Sequence, residues 1–423
     1  MARVVVVGGG FAGMSAAARL AKLRHDVILL EAGDQLGGRL RGHTVDGVTW
    51  QLSPDTVTLP GVLRDLFRKS GRPIERVVDL VLTPGRRHVF DDRSVLDLPL
   101  GNRGDQHDAV VEAFGEDSWS PWVDSLADEW DTLRRSVLDR LLDERGDLDR
   151  STRRALAVRR SLARLARRDL PHDQLRSLVL DNVRLDGHDP STTPAFVAVQ
   201  HYVERSFGRW RVEGGLPALA DALVTRLEER KVDVRTGALA HELEVTAGRV
   251  RGVITQDDHL DADVVVWCAP TLPAPIPEPR GLPAIPASRT LITLADDAPE
   301  LPLDLIAHSN PPVHVWSDGS PQWTLAHHNA EDPVIALARV GIRIKDHVVE
   351  QHDLGPAELV RLGHWGWTWQ AWTTLFDRPG VGAGQRLGGT LFMAGAHAHP
   401  GGTIEEIGSA TAVIADAIGP APR

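Results

Sequence analysis

The sequence is poor in cysteine and lysine: it has one cysteine, Cys268, and four lysines in 423 residues. A single cysteine excludes an internal disulfide, so we expect a reducing compartment, and the cytoplasm is the expected location. No apolar run approaches the roughly 18 residues of a transmembrane helix, and the short run at residues 4–7 leads into glycines rather than a signal-peptide cleavage site. The net charge of -11 disfavours a nucleic-acid partner, because contacts with phosphates require a basic surface.

The rest of the composition is typical of a folded protein with more than one domain. Apolar residues make up 42% and charged residues 25% of the chain, which does not indicate disorder. A length of 423 residues is too great for one hydrophobic core and fits two or three packed domains.

The first thirty residues have the pattern of a dinucleotide-binding unit. A buried strand at residues 4–7 is followed by a Gly-x-Gly-x-x-Gly turn, by helical spacing over residues 14–23 and by a second buried strand at residues 27–30. The turn consists of Gly8, Gly9, Gly10, Phe11, Ala12 and Gly13. Glu31 and Ala32 follow the second strand. Glu31 stands at about the 20-residue distance from the first glycine that is expected of a ribose-binding acid.

Each of these positions has a physical reason in nucleotide binding. Gly8 allows the tight turn, Gly10 lets the backbone approach a diphosphate, and Gly13 lets the helix pack against the strand. The helix N-terminus offers unpaired N–H groups to the phosphates, and Glu31 would repel the 2′-phosphate of NADP. The alternative is a glycine-rich turn that binds nothing; the strand, helix, second strand and acid together disfavour it.

A second glycine pair favours FAD over NAD. Gly37, Gly38 and Arg39 follow Glu31 after five residues, and with them the chain resembles the flavin superfamily of amine oxidases, protoporphyrinogen oxidases and carotenoid desaturases. The resemblance implies that this loop passes along the FAD diphosphate and that Arg39 reaches the cofactor. It also implies an α/β fold, in which a Rossmann-type FAD-binding domain with three layers is interleaved with a mixed α+β substrate domain.

Two later segments fit the same superfamily. Residues 213–219 begin a block that would complete the nucleotide domain, and residues 391–402 lead into a helix over about 403–418. The resemblance implies that this last helix points its N-terminus at the pyrimidine side of the flavin, where it would stabilise the anionic reduced form. The cofactor contacts expected here are Gly395, Ala396, Gly402, Thr403 and Ile404.

Further segments narrow the resemblance to the phytoene desaturase branch. Residues 58–67, 187–195 and 207–210 look like that branch, and so does the ending Gly-Ala-His-Ala-His-Pro-Gly-Gly. The sequence departs from the family at residues 51–54, where Gln-Leu-Ser-Pro replaces an Asp-x-Gly-Pro type segment. It also lacks a lysine at the position that amine oxidases place near flavin N5, and Arg289 lies nearer to that position than Lys345 does.

The candidate catalytic residues are His397 and His399. If the resemblance holds, both lie near the flavin, where a histidine could move a proton or donate a hydrogen bond; the alternative is that both only cap the loop. No carboxylate or cysteine spacing supports a metal site with them, so no metal is expected.

A cluster of tryptophans is the candidate substrate wall. Trp365, Trp367 and Trp369 alternate, which on a strand would place them on one face, suited to an apolar substrate or a flavin ring. Packing between the domains is the alternative. The arginine-rich segment 133–180 could meet anionic lipid, as the corresponding insert does in carotenoid desaturases, although a solvated helix surface explains it more simply.

We therefore predict an FAD-binding domain from residues 1–75, 205–275 and 380–423, and a substrate domain from 76–204 and 276–379. The first functional hypothesis is an FAD-dependent oxidoreductase that passes hydride from a small apolar, isoprenoid-type substrate to flavin N5. A flavin amine or amino-acid oxidase is the second hypothesis. A redox-neutral isomerase or a structural FAD binder is the third, kept open by the altered residues 51–54. The substrate, the electron acceptor and the oligomeric state stay open, and peripheral contact with the inner face of the membrane is allowed.

Overall fold

The computed structural model describes residues 1–142, 144–276, 281–380 and 387–422. Residues 143, 277–280, 381–386 and 423 lie outside the described residues. They belong to the predicted domain segments 76–204, 276–379 and 380–423. In chain order the strands are β1 Arg3–Val7, β2 Asp26–Leu30, β3 His43–Val45, β4 Val48–Trp50, β5 Thr56–Val57, β6 Leu80–Leu82, β7 Gly85–Phe90, β8 Val95–Pro99, β9 Trp210–Val212, β10 Asp233–Arg235, β11 Ala240–Thr246, β12 Arg249–Thr255, β13 His259–Asp261, β14 Val264–Trp267, β15 Ser288–Leu294, β16 Asp304–His308, β17 Val313–Trp316, β18 Gln322–His327, β19 Val348–Leu354 and β20 Leu391–Met393.

The α-helices of the described residues alternate with these strands at both ends of the chain and cluster in its middle. They are α1 Phe11–Lys22, α2 Pro60–Ser70, α3 Arg103–Phe114, α4 Trp119–Asp124, α5 Ala127–Leu133, α6 Arg150–Ala155, α7 Leu162–Asp169, α8 Asp173–Leu185, α9 Val199–Phe207, α10 Gly215–Glu229, α11 Pro333–Arg339, α12 Pro356–Arg361 and α13 Ile404–Ile418. Among the described residues, no helix combines the length and the apolar character needed to cross a lipid bilayer.

A five-stranded parallel sheet forms the first half of the fold. Its order is β10-β2-β1-β14-β20, and Val5 of the central strand lies opposite both Ile28 and Val265. The strands are continuous apolar runs because both faces are covered. On one face Val4 and Val6 pack with residues of α1, α2, α10 and α13. On the other face Val5 and Val7 pack with residues of the antiparallel sheet β11-β12-β13.

A seven-stranded mixed sheet forms the second half, in the order β19-β15-β18-β17-β16-β7-β8. The pairing of β16 with β7 is parallel, and the other pairings are antiparallel. One cluster of its buried residues includes Ile292, Val315 and Leu337 of α11, and another joins Leu96 and Leu98 to α3, α4, α7 and α8. The predicted class, a three-layer Rossmann-type unit beside a mixed α+β unit, is confirmed.

The arginine-rich middle segment is helical but interrupted. Helix α7 buries Leu162, Leu165 and Ala166 and leaves its arginines outward. Several arginines of this region pair with carboxylates at the surface: Arg135 with Asp131 at 2.5 Å, Arg134 with Asp139 at 2.6 Å, Arg176 with Asp173 at 2.5 Å and Arg168 with Asp169. The local charge is therefore more balanced than the run of arginines indicates.

Candidate functional site

One large cavity, with a volume of about 1060 Å³, lies where the two halves meet. The carboxyl ends of β1, β2, β14 and β20 open into it, which is the edge where ligands bind in parallel α/β sheets. The seven-stranded sheet and α9 close the other side. The volume is at the top of the range usual for ligand pockets, about 300–1,000 Å³, as expected of a site that holds a large cofactor together with a substrate.

The glycine loop has the geometry that a diphosphate needs. Gly8 adopts φ +100°, a conformation that favours glycine, and its N–H donates to the carbonyl of Leu30 at 2.7 Å. A Cβ on Gly13 would stand 1.8 Å from the carbonyl oxygen of Gly8, so only glycine lets α1 approach the strand this closely. A Cβ on Gly10 would meet no atom within 4 Å, because Gly10 faces the open cavity.

The first turn of α1 is ready for an anion. Its N-cap, Gly10, offers no side-chain acceptor, and no acidic residue stands in the first turn. Phe11 and Ala12 line the cavity, so the helix start, whose first N–H groups have no partner within the helix, lies at the cavity wall. These residues fit a diphosphate.

Glu31 is held in place by backbone donors. Its two oxygens accept from the N–H groups of Gly9 at 2.6 Å and Gly33 at 2.7 Å, and Glu31 and Ala32 both line the cavity. Each carboxylate oxygen keeps a further acceptor site, so the fixed group can receive ribose hydroxyls.

The second glycine pair lies against the first. The N–H of Gly37 donates to the carbonyl of Gly9 at 2.9 Å, and a Cβ on Gly38 would be 3.2 Å from the Cα of Gly10. Arg39 faces the cavity. Burial lowers the pKa of Arg39, with Asp186 acting in the opposite direction. A partly buried cation that faces the cavity fits the phosphates of a dinucleotide.

The C-terminal loop reaches the same cavity. Gly395, Ala396, Gly402, Thr403 and Ile404 all line it, and α13 begins where the sequence predicted. Thr403 caps the helix in a capping box with Glu406: the Glu406 N–H donates to Oγ1 of Thr403 at 3.2 Å.

The electrostatics of this helix start differ from the expectation. Glu405 and Glu406 stand in the first turn and line the cavity. They place two carboxylates beside the helix N-terminus, which was expected to stabilise the negative charge of the reduced flavin. Glu405 accepts from the N–H and, at 2.9 Å, from the hydroxyl of Thr58. The Thr-x-x-Glu pattern at 403–406 marks Glu406 as the capping-box acid, whereas no motif marks Glu405.

The two candidate histidines have different surroundings. His397 lines the cavity, its Nε2 atom has no hydrogen-bond partner among the described residues, and burial lowers its pKa to about 4. His399 does not line the cavity, and its Nε2 lies 3.1 Å from the carbonyl of Val137. Burial, with the nearby Arg378, lowers the pKa of His399 to about 3. Both rings are therefore neutral near pH 7, and of the two only His397 lines the cavity.

The tryptophan segment lines the cavity without forming a strand. Trp365, Trp367 and Trp369 all face it, but only Trp367 makes a β-bridge, with Pro283, so the predicted alternation on a strand face is wrong. The indole N–H of Trp367 donates to the carbonyl of His397, which joins this segment to the C-terminal loop. Trp369 meets Phe196 edge-on, with ring centroids 5.6 Å apart.

Charged groups also line this cavity, and the sequence pointed to Arg289 but not to Asp186. Asp186 faces the cavity, and burial is the main cause that raises its pKa to about 6. Arg289 donates from Nε to the carbonyl of Leu52 at 3.0 Å, and burial together with Arg39 lowers its pKa to about 10. Ser53 and Pro54 of the altered segment also line the cavity. No local motif marks Asp186, because its position depends on the packing of α8.

Comparison with known proteins supplies the family context. Residues 11–293 match the model of the flavin-containing amine oxidoreductases. The chain is similar to 4,4'-diapolycopene oxygenase of Methylomonas sp (28% identity over 296 residues) and to zeta-carotene-forming phytoene desaturase of Myxococcus xanthus (32% over 281 residues). Each match covers 64% of this chain but only 56% and 54% of the two relatives, so the chain spans about half of their length.

A solved structure has a similar fold over the whole chain. An oxidoreductase from Methanosarcina mazei superimposes with a TM-score of 0.61 and 18% identity, covering 98% of this chain and 100% of the other. At this identity the likeness supports the fold alone.

Proposed function

The chain belongs to the flavin-containing amine oxidoreductase family, and from that premise we propose that it is an FAD-dependent oxidoreductase of the phytoene desaturase-like branch. The cofactor is FAD. The substrate we propose is a small apolar molecule of the isoprenoid type. FAD bound in the cavity would supply the hydride acceptor, its N5 atom.

One observation carries the proposal: the same cavity is lined by the glycine loop, by the loop before α13 and by an apolar wall. That wall includes Leu133, Val137, Phe196 and Val197, with Trp369 beside Phe196. An apolar molecule held along it would lie against the cofactor loops, with water displaced from the reacting atoms.

We propose specific roles for the residues that line the cofactor part of this cavity. The N–H groups of Phe11 and Ala12, together with Arg39, would hold the diphosphate, and Glu31 would hold the ribose. His397, neutral and without a partner, would accept or donate one hydrogen bond beside the flavin. We do not extend a catalytic role to His399, since its Nε2 lies within hydrogen-bond distance of the Val137 carbonyl and the residue does not line the cavity.

Amine oxidation is the second candidate, favoured by the carboxylates Asp186, Glu405 and Glu406, which line the same cavity as Trp365. An amine would find both an acidic and an aromatic partner there. The absence of lysine from the lining argues against the mechanism usual for that class, because Lys22, Lys69, Lys231 and Lys345 all lie elsewhere.

The test is a set of anaerobic titrations of the purified, FAD-loaded protein with phytoene and with putrescine, followed by visible absorbance. Bleaching of the flavin bands by phytoene supports the proposal. Bleaching by putrescine alone would favour the amine oxidase. Bound flavin that neither probe reduces would contradict both and leave the redox-neutral alternative. Contact with a membrane also stays a proposal, tested by sedimentation with vesicles of anionic lipid.

A further inference from the structure

The part of the cavity that α9 lines has a polar corner. Helix α9 turns Val199, Gln200, Val203 and Glu204 toward the cavity. Gln200 and Glu204 are four residues apart and therefore lie one turn above each other on the same face. A polar row thus runs beside an apolar row on a single helix.

The apolar row belongs to a wall that can hold a hydrocarbon chain. Val199 and Val203 pack with Trp130 in one buried cluster, against which Leu133 and Leu138 also lie. All five of these residues line the cavity. A wall of this kind binds an elongated apolar molecule through the area that it removes from water.

The polar row ends at a group of buried charges. Arg86 of β7 donates from Nε to Oδ1 of Asp304 at 2.9 Å, and Nη1 of Arg209 lies 3.2 Å from Oδ2 of the same carboxylate. The ring of His314 lies 2.9 Å from Oδ1 as well. Arg86, Arg209, His314 and Glu204 all line the cavity, whereas Asp304 stands behind them.

The charged groups in this corner pair with one another, but their environments differ. Burial acts to raise the pKa of Asp304, but Arg86 and the hydrogen-bonded His314 hold it well below its usual range, so Asp304 is ionised. Burial also raises the pKa of Glu204, with Arg86 opposing, and burial lowers the pKa of His314. Nη1 of Arg209 also lies 3.6 Å from Oε1 of Glu204, so two guanidinium groups face two carboxyl groups, of which Asp304 is the one held firmly in its ionised form.

Two donors in this corner lack an acceptor. Arg209 is only 8% exposed, and its Nε atom has no hydrogen-bond partner among the described residues, although Nη2 donates to the hydroxyl of Thr56 at 2.8 Å. The amide nitrogen of Gln200 is also buried without a partner. A buried donor left unpaired costs about 1–3 kcal/mol, so such groups in a cavity wall indicate an acceptor on the ligand.

A small space beyond the corner has the same character. Its volume is about 10 Å³, enough for about one water molecule, and its wall includes Arg86, His88, His201 and Glu204. Nε2 of His201 is buried without a partner and can bond to such a water. Polar groups therefore continue beyond the corner, beside the apolar side chains of Leu98, Leu100 and Leu178.

We propose that the cavity takes an elongated apolar molecule that ends in an oxygen acceptor, a carbonyl or carboxylate group. Gln200 and Arg209 hold this end group, while the hydrocarbon part of the ligand lies along Val199, Val203 and Trp130. The inference rests on the proposed function, because it names the substrate class of that same site. A plain hydrocarbon would leave the Gln200 amide N–H and the Nε–H of Arg209 without an acceptor, so it should bind more weakly.

The experiment compares three probes with one C15 skeleton: farnesoic acid, farnesal and farnesene. Each is titrated anaerobically into the FAD-loaded protein, and the dissociation constant is read from the shift of the flavin spectrum and from quenching of tryptophan fluorescence. We expect the acid or the aldehyde to bind at least about tenfold more tightly than the hydrocarbon, which is the effect of one satisfied buried donor. The stronger of the two oxygenated probes identifies the end group.

Variants assign the preference to the corner. Gln200→Leu should reduce the preference to about threefold or less, whereas Gln256→Leu, an exposed glutamine outside the cavity, should leave it unchanged. Equal binding of the three probes to the wild-type protein would overturn the inference. A Gln200→Leu protein that keeps the preference but loses FAD would overturn it too, because the amide would then serve the cofactor.

The inference and the proposed function can fail separately. A protein that binds no FAD contradicts the proposed function, while tryptophan fluorescence still reports whether the oxygenated probes are preferred. A flavoprotein that phytoene reduces, but that binds farnesene as tightly as farnesoic acid, contradicts the inference alone.

Discussion

The two ends of the cavity are built from different kinds of atoms. At the nucleotide end much of the wall comes from glycine-containing loops and helix starts: the loop of Gly8 and Gly10, the first turn of α1, and the loop before α13. Where α9 meets the seven-stranded sheet, the wall is made of side chains such as Arg86, Glu204 and Arg209.

The difference determines what each end tolerates. A backbone wall keeps its shape when side chains change, except where a Cβ would strike the chain, as at Gly13. A side-chain wall depends on every partner, because removing one member of a buried ion network leaves the others without compensation. Substitutions should therefore act through steric contact at the first end and through charge at the second.

The largest effect is expected from Gly13→Ala. The new Cβ would stand 1.8 Å from the Gly8 carbonyl oxygen, so α1 must move from the sheet, and we expect a loss of about 3 kcal/mol or more in the free energy of unfolding. Bound flavin should fall with it. Urea unfolding and the absorbance ratio of flavin to protein measure the two effects.

The matched control for that substitution is Gly61→Ala in the first turn of α2. A Cβ there meets no atom within 4 Å, and we expect a change within about 0.5 kcal/mol. If Gly13→Ala behaved like the control, the close approach of α1 to the strand would be contradicted.

The second effect tests the side-chain end. Asp304→Asn removes the carboxylate that Arg86 and Arg209 share, and we expect about 3 kcal/mol of destabilisation, because two buried guanidinium groups lose their counter-ion. Flavin content per folded protein should stay near that of the wild type. Asp257→Asn, at an exposed carboxylate, is the control. If Asp304→Asn lost more flavin than folded protein, the side-chain end would also be needed for flavin binding, and the distinction between the two ends would be contradicted.

The third effect concerns the contact between the tryptophan segment and the C-terminal loop. Trp367→Phe removes the hydrogen bond from the indole N–H to the His397 carbonyl, and we expect a loss of about 1 kcal/mol together with a shifted flavin spectrum. Trp372→Phe, which packs on Phe376 outside the cavity lining, should leave the spectrum unchanged. Identical spectra for both variants would show that Trp367 does not position the loop.

The smallest effect is a pH dependence at Asp186. Its folded-state pKa, raised to about 6 chiefly by burial, exceeds the value of about 3.9 in unfolded chains, so its ionisation favours unfolding as the pH rises from about 4 to 6. Asp186→Asn should therefore stabilise the protein at pH 7 by about 1 kcal/mol or less, since water in the cavity screens this carboxylate, and by less at pH 4.5. Urea unfolding at both pH values checks the sign; a larger gain at pH 4.5 would contradict it.

The same contrast explains what could be predicted from the sequence. The glycine loop, Glu31 and the capping box at Thr403 are contiguous patterns whose geometry follows from the backbone, and the structure has them lining one cavity. Asp304, Arg86 and Arg209 come from three distant parts of the chain, so no spacing relates them. The tryptophan strand was wrong because alternation alone cannot supply a pairing strand: Trp367 finds one bridge, to Pro283, and its neighbours find none.

The most direct test of the account is the amount of FAD that the purified protein binds, measured by titrating FAD into the apoprotein and following the quenching of flavin fluorescence. The account predicts saturation at one FAD per chain, with Gly13→Ala abolishing it and Asp304→Asn retaining it per folded molecule. Absence of saturable binding by the folded wild-type protein would contradict the central claim that the cavity is a flavin site.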